Sequence, residues 1–260
     1  MVFVPAATAF VVLLNLAVNG LGLPSSPVSP SLETRQKRAE VITRCTVPNT
    51  AALTFDDGPY QYIYEITRQL NAANATGTFF FNGDNYGCIY SKENVDRVKH
   101  VYRHGHQVAS HTWAHRDLST LGWNDIYEEM RRTDEALQRI TGALPAFMRP
   151  PYGNYNNLVR EVSASRHQAI VLWDFDSGDS VGVGPGSQKY RYTQLAQHRP
   201  SSVLTLNHEV YASSVHDVLP HAISKLRQAG YRLVSVAECL GRPPYIYVQA
   251  PAARDSSWKC

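Results

Sequence analysis

From residue 51 onward, short apolar runs alternate with longer stretches in which apolar residues recur at helical spacing. Runs at 51–55, 76–81, 106–110, 146–148, 168–173, 202–206 and 231–236 have the length and composition of buried strands. Between them, 93–103 carries Val95, Val98, Val101 and Tyr102 on one side, and 124–140 carries Ile126, Met130, Leu137 and Ile140. A third stretch, 215–226, carries Val218, Leu219, Ala222, Ile223 and Leu226, again the stripe of an amphipathic helix. Seven strands alternating with helices predict a parallel sheet, either doubly wound or closed into a barrel.

Polar residues decide between these two. Asp56, His111, Arg149, residues 174–179 and His208 all fall at or just past the carboxyl ends of predicted strands, the end at which barrel enzymes gather their chemistry. An open sheet often carries a glycine-rich phosphate loop, but Gly182-Val183-Gly184-Pro185-Gly186 follows no strand-turn-helix pattern. The expected fold is α/β, a distorted seven-stranded (β/α) barrel.

The flanks have a different pattern. Residues 2–18 are almost uniformly apolar and lead into Asn19-Gly20-Leu21-Gly22-Leu23-Pro24, small and turn-forming residues that suit signal-peptidase cleavage. No Lys or Arg precedes Arg35, so the usual positive start of a leader is missing, yet the run is short for a membrane span. We expect a signal peptide over 1–22 and a Ser/Pro-rich linker or pro-segment over 23–38 ending in the dibasic pair Lys37-Arg38. A single catalytic domain over 39–245 and a C-terminal tail over 246–260 follow, in a secreted chain whose mature form keeps no membrane span.

The 260 residues are 43% hydrophobic and 18% charged, enough for one large domain with a core. A formal charge of +3, with no Lys/Arg block interleaved with aromatics, excludes nucleic acid as an expected partner. Four cysteines without a Cys-x-x-Cys disfavour a thiolate zinc site and favour disulfides, expected as Cys45–Cys239 and Cys88–Cys260. Asn74-Ala75-Thr76 is a glycosylation sequon in a polar turn.

Asp56 and Asp57 stand side by side in Thr54-Phe55-Asp56-Asp57-Gly58-Pro59, and two histidines follow in His111-Thr112-Trp113-Ala114-His115. One carboxylate with two imidazoles suits a borderline divalent ion such as zinc and leaves positions open for water and substrate. The second aspartate is then free for proton transfer, with nothing in the spacing to say which aspartate does which. Taken singly, each element has a plainer reading, since Asp-Asp-Gly is a common turn and paired histidines are often a bare helix face.

Three more strand ends change the weighing: Arg149-Pro150-Pro151-Tyr152-Gly153, Asp176-Ser177-Gly178-Asp179 and Leu204-Thr205-Leu206-Asn207-His208. With these five motifs in this order, the chain resembles the polysaccharide deacetylases, carbohydrate esterase family 4 with its NodB-type domain, over roughly residues 45–240. Within the family it is most similar to fungal chitin deacetylases. The resemblance implies that Asp57, His111 and His115 bind one divalent ion, zinc first, with cobalt or another transition metal as alternatives. It makes Asp56 the base, Arg149 the residue that holds and ionises it, His208 the acid, and Asp179 the group that orients and tunes His208. The Tyr152 backbone N–H becomes an oxyanion donor, and Leu206 part of the pocket for the acetyl methyl.

The implied activity is hydrolysis of N-acetyl groups on chitin or chito-oligosaccharides by a monomeric enzyme that is extracellular or in the cell wall. An acetylxylan esterase or a peptidoglycan deacetylase is the alternative within the family, and a non-catalytic carbohydrate-binding protein the alternative from another class. A non-haem iron oxygenase also uses two histidines and a carboxylate, but it leaves Asp56 and His208 without a task. One departure stands out: the family often has tryptophan after the position of Asp179, and here that residue is Ser180. Trp173 falls inside a predicted strand, and nothing in the sequence places its ring at the same wall.

Overall fold

Burial on both faces makes the central strands near-continuous apolar runs. In Thr78-Phe79-Phe80-Phe81, Phe79 and Phe81 pack with Leu53, Val98, Val101 and Leu137 in the layer under the helices. Phe80 points the other way, onto Ala52, Ala109, Phe147, Val171, Leu204 and Val234 inside the barrel. The computed structural model describes Met1 and residues 37–260, so the expected signal peptide and nearly all of the expected linker lie outside the described residues. Of the dibasic pair, Arg38 donates from Nε to Glu161 Oε1 at 3.0 Å.

The strands are β1 (Val41–Ile42), β2 (Thr50–Ala52), β3 (Thr54–Gly58), β4 (Thr78–Phe81), β5 (Gln107–Ser110), β6 (Ala143–Pro145), β7 (Phe147–Met148), β8 (Ala169–Val171), β9 (Phe175–Asp176), β10 (Ser202–His208), β11 (Arg232–Val234) and β12 (Tyr245–Val248). The helices are α1 (Ile63–Ala72), α2 (Lys92–Arg103), α3 (Trp123–Thr141), α4 (Asn157–Ser165), α5 (Pro185–His198), α6 (Leu219–Gln228) and α7 (Val236–Leu240). The stripes at 93–103 and 124–140 are α2 and α3. The stripe at 215–226 opens as a wide turn, Ser214–Val218, before α6 begins.

The main sheet runs β1-β8-β7-β5-β4-β3-β10-β2-β11, with β9 also on β10, and its pairs are parallel. Each of the seven predicted strands is present. The first is interrupted at Leu53: β2 and β3 keep one register along β10, with β11 beside β2 and β4 beside β3. The barrel is distorted because the ladder does not run unbroken round the ring. β8 takes β1 on its free side and ends at Val171, and the chain resumes pairing only at Phe175, now on β10. Parallel strands bring their carboxyl ends to one rim, so residues after β3, β5, β7, β9 and β10 share it.

Both expected disulfides are present, Cys45–Cys239 and Cys88–Cys260. The region expected as a tail is built into the domain: β12 pairs antiparallel with β6 across residue 245. Beyond it, Trp258 is buried against Tyr90, with ring centroids 5.4 Å apart. No helix among the described residues is long and apolar enough to cross a membrane.

Candidate active site

Asp56 and Asp57 stand just before the end of strand β3, and their backbones diverge. Asp56 continues the strand, whereas Asp57 takes φ 73°. Thr112, His115 and Tyr152 are likewise non-glycine residues at positive φ, 70°, 54° and 61°. Such conformations cost free energy and gather where a fold places functional groups. Here they turn the ends of three different segments towards one cleft of about 540 Å³.

Asp57, His111 and His115 each offer a ligand atom, and these atoms lie within 4.8 Å of one another. His115 Nε2 is 3.3 Å and His111 Nε2 3.6 Å from Asp57 Oδ1. Ligand atoms roughly 2.0–2.2 Å from one ion stand at about such spacings. Asp57 Oδ1 is buried and has no hydrogen-bond partner among the described residues. His111 Nδ1 lies 2.7 Å from the carbonyl oxygen of Arg149, which can only accept, so Nδ1 carries the proton and the Nε2 lone pair faces the triad. Burial holds His111 neutral, lowering its pKa to about 3 against the upward pull of Asp57. The three residues therefore fit a divalent ion.

Neighbouring side chains fix the histidine segment. Asn82, at the end of β4, donates from Nδ2 to the carbonyls of His111 and Thr112 at 2.5 and 3.1 Å. Glu129 of α3 accepts the Ala114 N–H at 2.8 Å. Neither was singled out from the sequence. Asn82 stands at a strand end like the motifs that were, and that position is the signal that could have found it.

Arg149 is 0% exposed and hydrogen-bonded at all three guanidinium nitrogens. Its Nη1 donates to Asp56 Oδ1 at 2.8 Å and to Thr54 Oγ1 at 2.6 Å, while Nε and Nη2 donate to the carbonyls of Val171 and Leu172. Its guanidinium also stacks over Phe80, 4.2 Å from the ring centroid. Burial pushes the Asp56 carboxyl up while Arg149 and His208 pull it down, and burial prevails. Arg149 thus anchors Asp56 and offsets part of the burial, and the net upward shift is in the direction that suits a base.

At the end of β10, Asp179 Oδ1 lies 2.7 Å from His208 Nδ1, while Oδ2 accepts the His208 backbone N–H at 2.7 Å and the Ser214 hydroxyl at 2.8 Å. Burial lowers the His208 pKa, but the hydrogen bond and charge of Asp179, with the charges of Asp56 and Asp57, outweigh it and raise the value to about 9. Leu206 lines the same cleft. Tyr152 stands on its rim, 65% exposed, its ring against His115 at 4.8 Å. All nine residues expected at the site therefore border one cleft or, in the case of Arg149 and Asp179, brace a residue that does.

The lining also includes Asn85, Tyr86, Tyr211, Val181 and Trp173, which sequence reasoning did not place there. Because β8 ends at Val171, Trp173 falls beyond the strand rather than within it, and its ring packs against Gly153, where a Cβ would meet the indole at 2.8 Å. Ser180 thus shares its cleft with an indole from an earlier segment.

A family profile described as polysaccharide deacetylase matches residues 43–169. A chitin deacetylase of Pestalotiopsis sp is 36% identical over 208 residues, which are 77% of this chain and 67% of that one. A chitin deacetylase of Colletotrichum lindemuthianum is 32% identical over 231 residues, 87% of this chain and 93% of that one. The solved structure of the chitin deacetylase from that fungal pathogen matches with a TM-score of 0.76 at 30% identity, covering 85% of this chain and 99% of that chain. With a shared fold, a matching profile and relatives aligned over most of their length, the chain belongs to the polysaccharide deacetylase family.

Proposed function

We propose that the chain is a secreted, monomeric, metal-dependent deacetylase that hydrolyses N-acetyl groups on the N-acetylglucosamine units of chitin or chito-oligosaccharides. The observation that carries this reading is the presence of Asp56 and His208 in one cleft with the triad, each braced by a buried partner of opposite charge. Kinship with chitin deacetylases supports the substrate class. Two disulfides suit an oxidising compartment.

Asp57, His111 and His115 would hold the ion, which zinc fits by its preference for nitrogen and oxygen donors. When bound, a divalent ion supplies Lewis acidity that acidifies a water and polarises the acyl carbonyl. Asp56 removes a proton from the water as its oxygen attacks the acetyl carbon, and Arg149 keeps the carboxylate aimed while this happens. The Tyr152 backbone N–H donates to the oxygen that gathers negative charge. His208 delivers a proton from Nε2 to the sugar nitrogen as the C–N bond breaks, leaving acetate and a free amine. Asp179 fixes the ring by accepting at Nδ1, and Leu206 gives the acetyl methyl an apolar contact.

Acetate release from chito-oligosaccharides, acetylxylan and peptidoglycan fragments, with and without a chelator, tests the reading. Chelator-sensitive release from chito-oligosaccharides is expected. Release from acetylxylan alone, or release untouched by complete metal removal, would overturn it. N-terminal sequencing of the secreted protein tests the localisation, which a chain retained in the cell contradicts.

A further inference from the structure

Glu209 is a buried acid that the steps above leave unused. It follows His208 at the end of β10, is 0% exposed, and its Oε2 has no partner among the described residues. An apolar side chain of similar volume would occupy the position without desolvating a carboxyl group. Space filling alone therefore does not account for it.

Its contacts converge on the end of β3 and the turn that leads out of it. The backbone N–H of Glu209 donates to the carbonyl oxygen of Asp56 at 3.2 Å. Its Oε1 accepts the backbone N–H of Tyr60 at 2.7 Å. Between these anchors its carboxyl group lies directly on Gly58, where an added Cβ would come within 1.8 Å of Oε1 and 2.2 Å of Cδ. Glycine at residue 58 lets the acid in, and Glu209 then holds the backbone on either side of Asp57, at Asp56 through its main-chain N–H and at Tyr60 through its carboxyl group. That residue holds φ 73° and carries the carboxylate oxygen of the triad. An aspartate in the left-handed region keeps that conformation only where its surroundings over-determine it.

We propose that Glu209 is a positioning residue for the triad: bridging Asp56, Gly58 and Tyr60, it holds the turn in the one conformation that aims Asp57 at His111 and His115. The inference rests on the metal-binding role assigned above to Asp57. It predicts a specific division among substitutions. Glu209→Gln keeps an oxygen for the Tyr60 N–H and nearly the same shape, so it preserves the turn. Glu209→Ala keeps the main-chain bond to Asp56 but loses the carboxyl group that holds Tyr60 and seats on Gly58. Gly58→Ala leaves the acid in the chain but drives it off its seat.

Metal-stripped samples of the full chain are titrated with Zn²⁺ by calorimetry, and thermal unfolding of the same samples is recorded. Wild type and Glu209→Gln are expected to agree within about threefold, while Glu209→Ala and Gly58→Ala bind about 10–100-fold more weakly, the usual range for groups that orient ligands. The double variant matches Glu209→Ala, because the two changes break one contact. Wild-type Zn²⁺ affinity in Glu209→Ala, whatever its melting temperature, overturns the proposal and leaves a merely structural acid. If Glu209→Ala does not fold, wild-type affinity in Gly58→Ala overturns it equally. A Glu209→Gln variant as weak as Glu209→Ala also overturns it. A wild-type chain that takes up no Zn²⁺ sinks both this inference and the metal reading beneath it, whereas tight wild-type binding with an unaffected Glu209→Ala sinks this one alone.

Discussion

Asp179 grips His208 twice, meeting the ring Nδ1 with one carboxylate oxygen and accepting the backbone N–H with the other, each at 2.7 Å. The ring cannot turn without breaking a bond to a group that its own main chain also holds. Because Asp179 lies on the segment after β9 and His208 on β10, the contact extends the β9–β10 pairing beyond the end of β9.

A pH dependence follows from that grip. The His208 pKa is raised to about 9, so the imidazole is protonated below that value and loses its proton above it. A step that spends this proton falls away on the alkaline side, and a cation at the triad, opposing Asp56 and Asp57, brings the fall below about pH 9. Asp179→Asn removes the charge and moves the alkaline limb of kcat down by about one pH unit or more, with kcat about 100-fold lower at its optimum. An unmoved limb would show that His208 is not the group that titrates.

Arg149 bears on stability as well as on catalysis. Replacing it with alanine strands the buried Asp56 carboxyl group and is expected to cost about 3–5 kcal/mol in urea unfolding. Arg149→Lys is not a rescue, since one ammonium cannot reach Asp56 and also the carbonyls of Val171 and Leu172. A lysine variant with wild-type stability and acetate release would contradict this account.

The two aspartates separate by different measurements. Asp57→Asn loses Zn²⁺ binding and, with it, the rise in melting temperature that a ligand of the folded state produces. Asp56→Asn binds Zn²⁺ nearly as wild type does, yet its kcat falls about 10²–10⁴-fold. The reverse pattern would exchange their roles.

Metal removal should be reversible. Dialysis against a chelator abolishes acetate release, and Zn²⁺ or Co²⁺ restores it without refolding, because the triad is braced by Asn82, Glu129 and Arg149 rather than by the ion. A stripped protein that has lost its near-ultraviolet circular dichroism would instead mean that the metal holds the fold.

Removing Cys88–Cys260 in the double alanine variant is expected to lower stability by about 2–5 kcal/mol. Asn85 and Tyr86, on the cleft wall, precede Cys88 in the same loop. KM for chito-oligosaccharides should therefore rise while kcat holds. A change in kcat alone would place the loop's influence on the chemistry instead.

The sheet was legible because each long strand is buried on both faces, and the site because parallel strands deliver their ends to one rim. Asp56, His111, Arg149 and His208 could thus be grouped before any contact was known. Two-residue strands such as β1 and β9 carry no periodicity to detect, and they decide where the ring of hydrogen bonds is interrupted. The same blindness misplaced Trp173, since no pattern marks Val171 as the last residue of β8. Tyr86 and Tyr211 belong to loops, whose positions depend on contacts distant in the chain. Glu209 was invisible for another reason: its meaning lies in its fit against Gly58, which only three dimensions reveal.

The two disulfides span 194 and 172 residues and interleave, each loop containing one end of the other. In an unordered chain, closure entropy favours the shorter loops that join Cys45 to Cys88 and Cys239 to Cys260. Chance encounter therefore selects the wrong partners. The native bonds must wait until the strands have assembled, so they record the fold rather than guide it. In production, oxidant added before the barrel forms will cross-link the chain out of its shape, and a thiol shuffling pair or an isomerase should decide the yield of active protein.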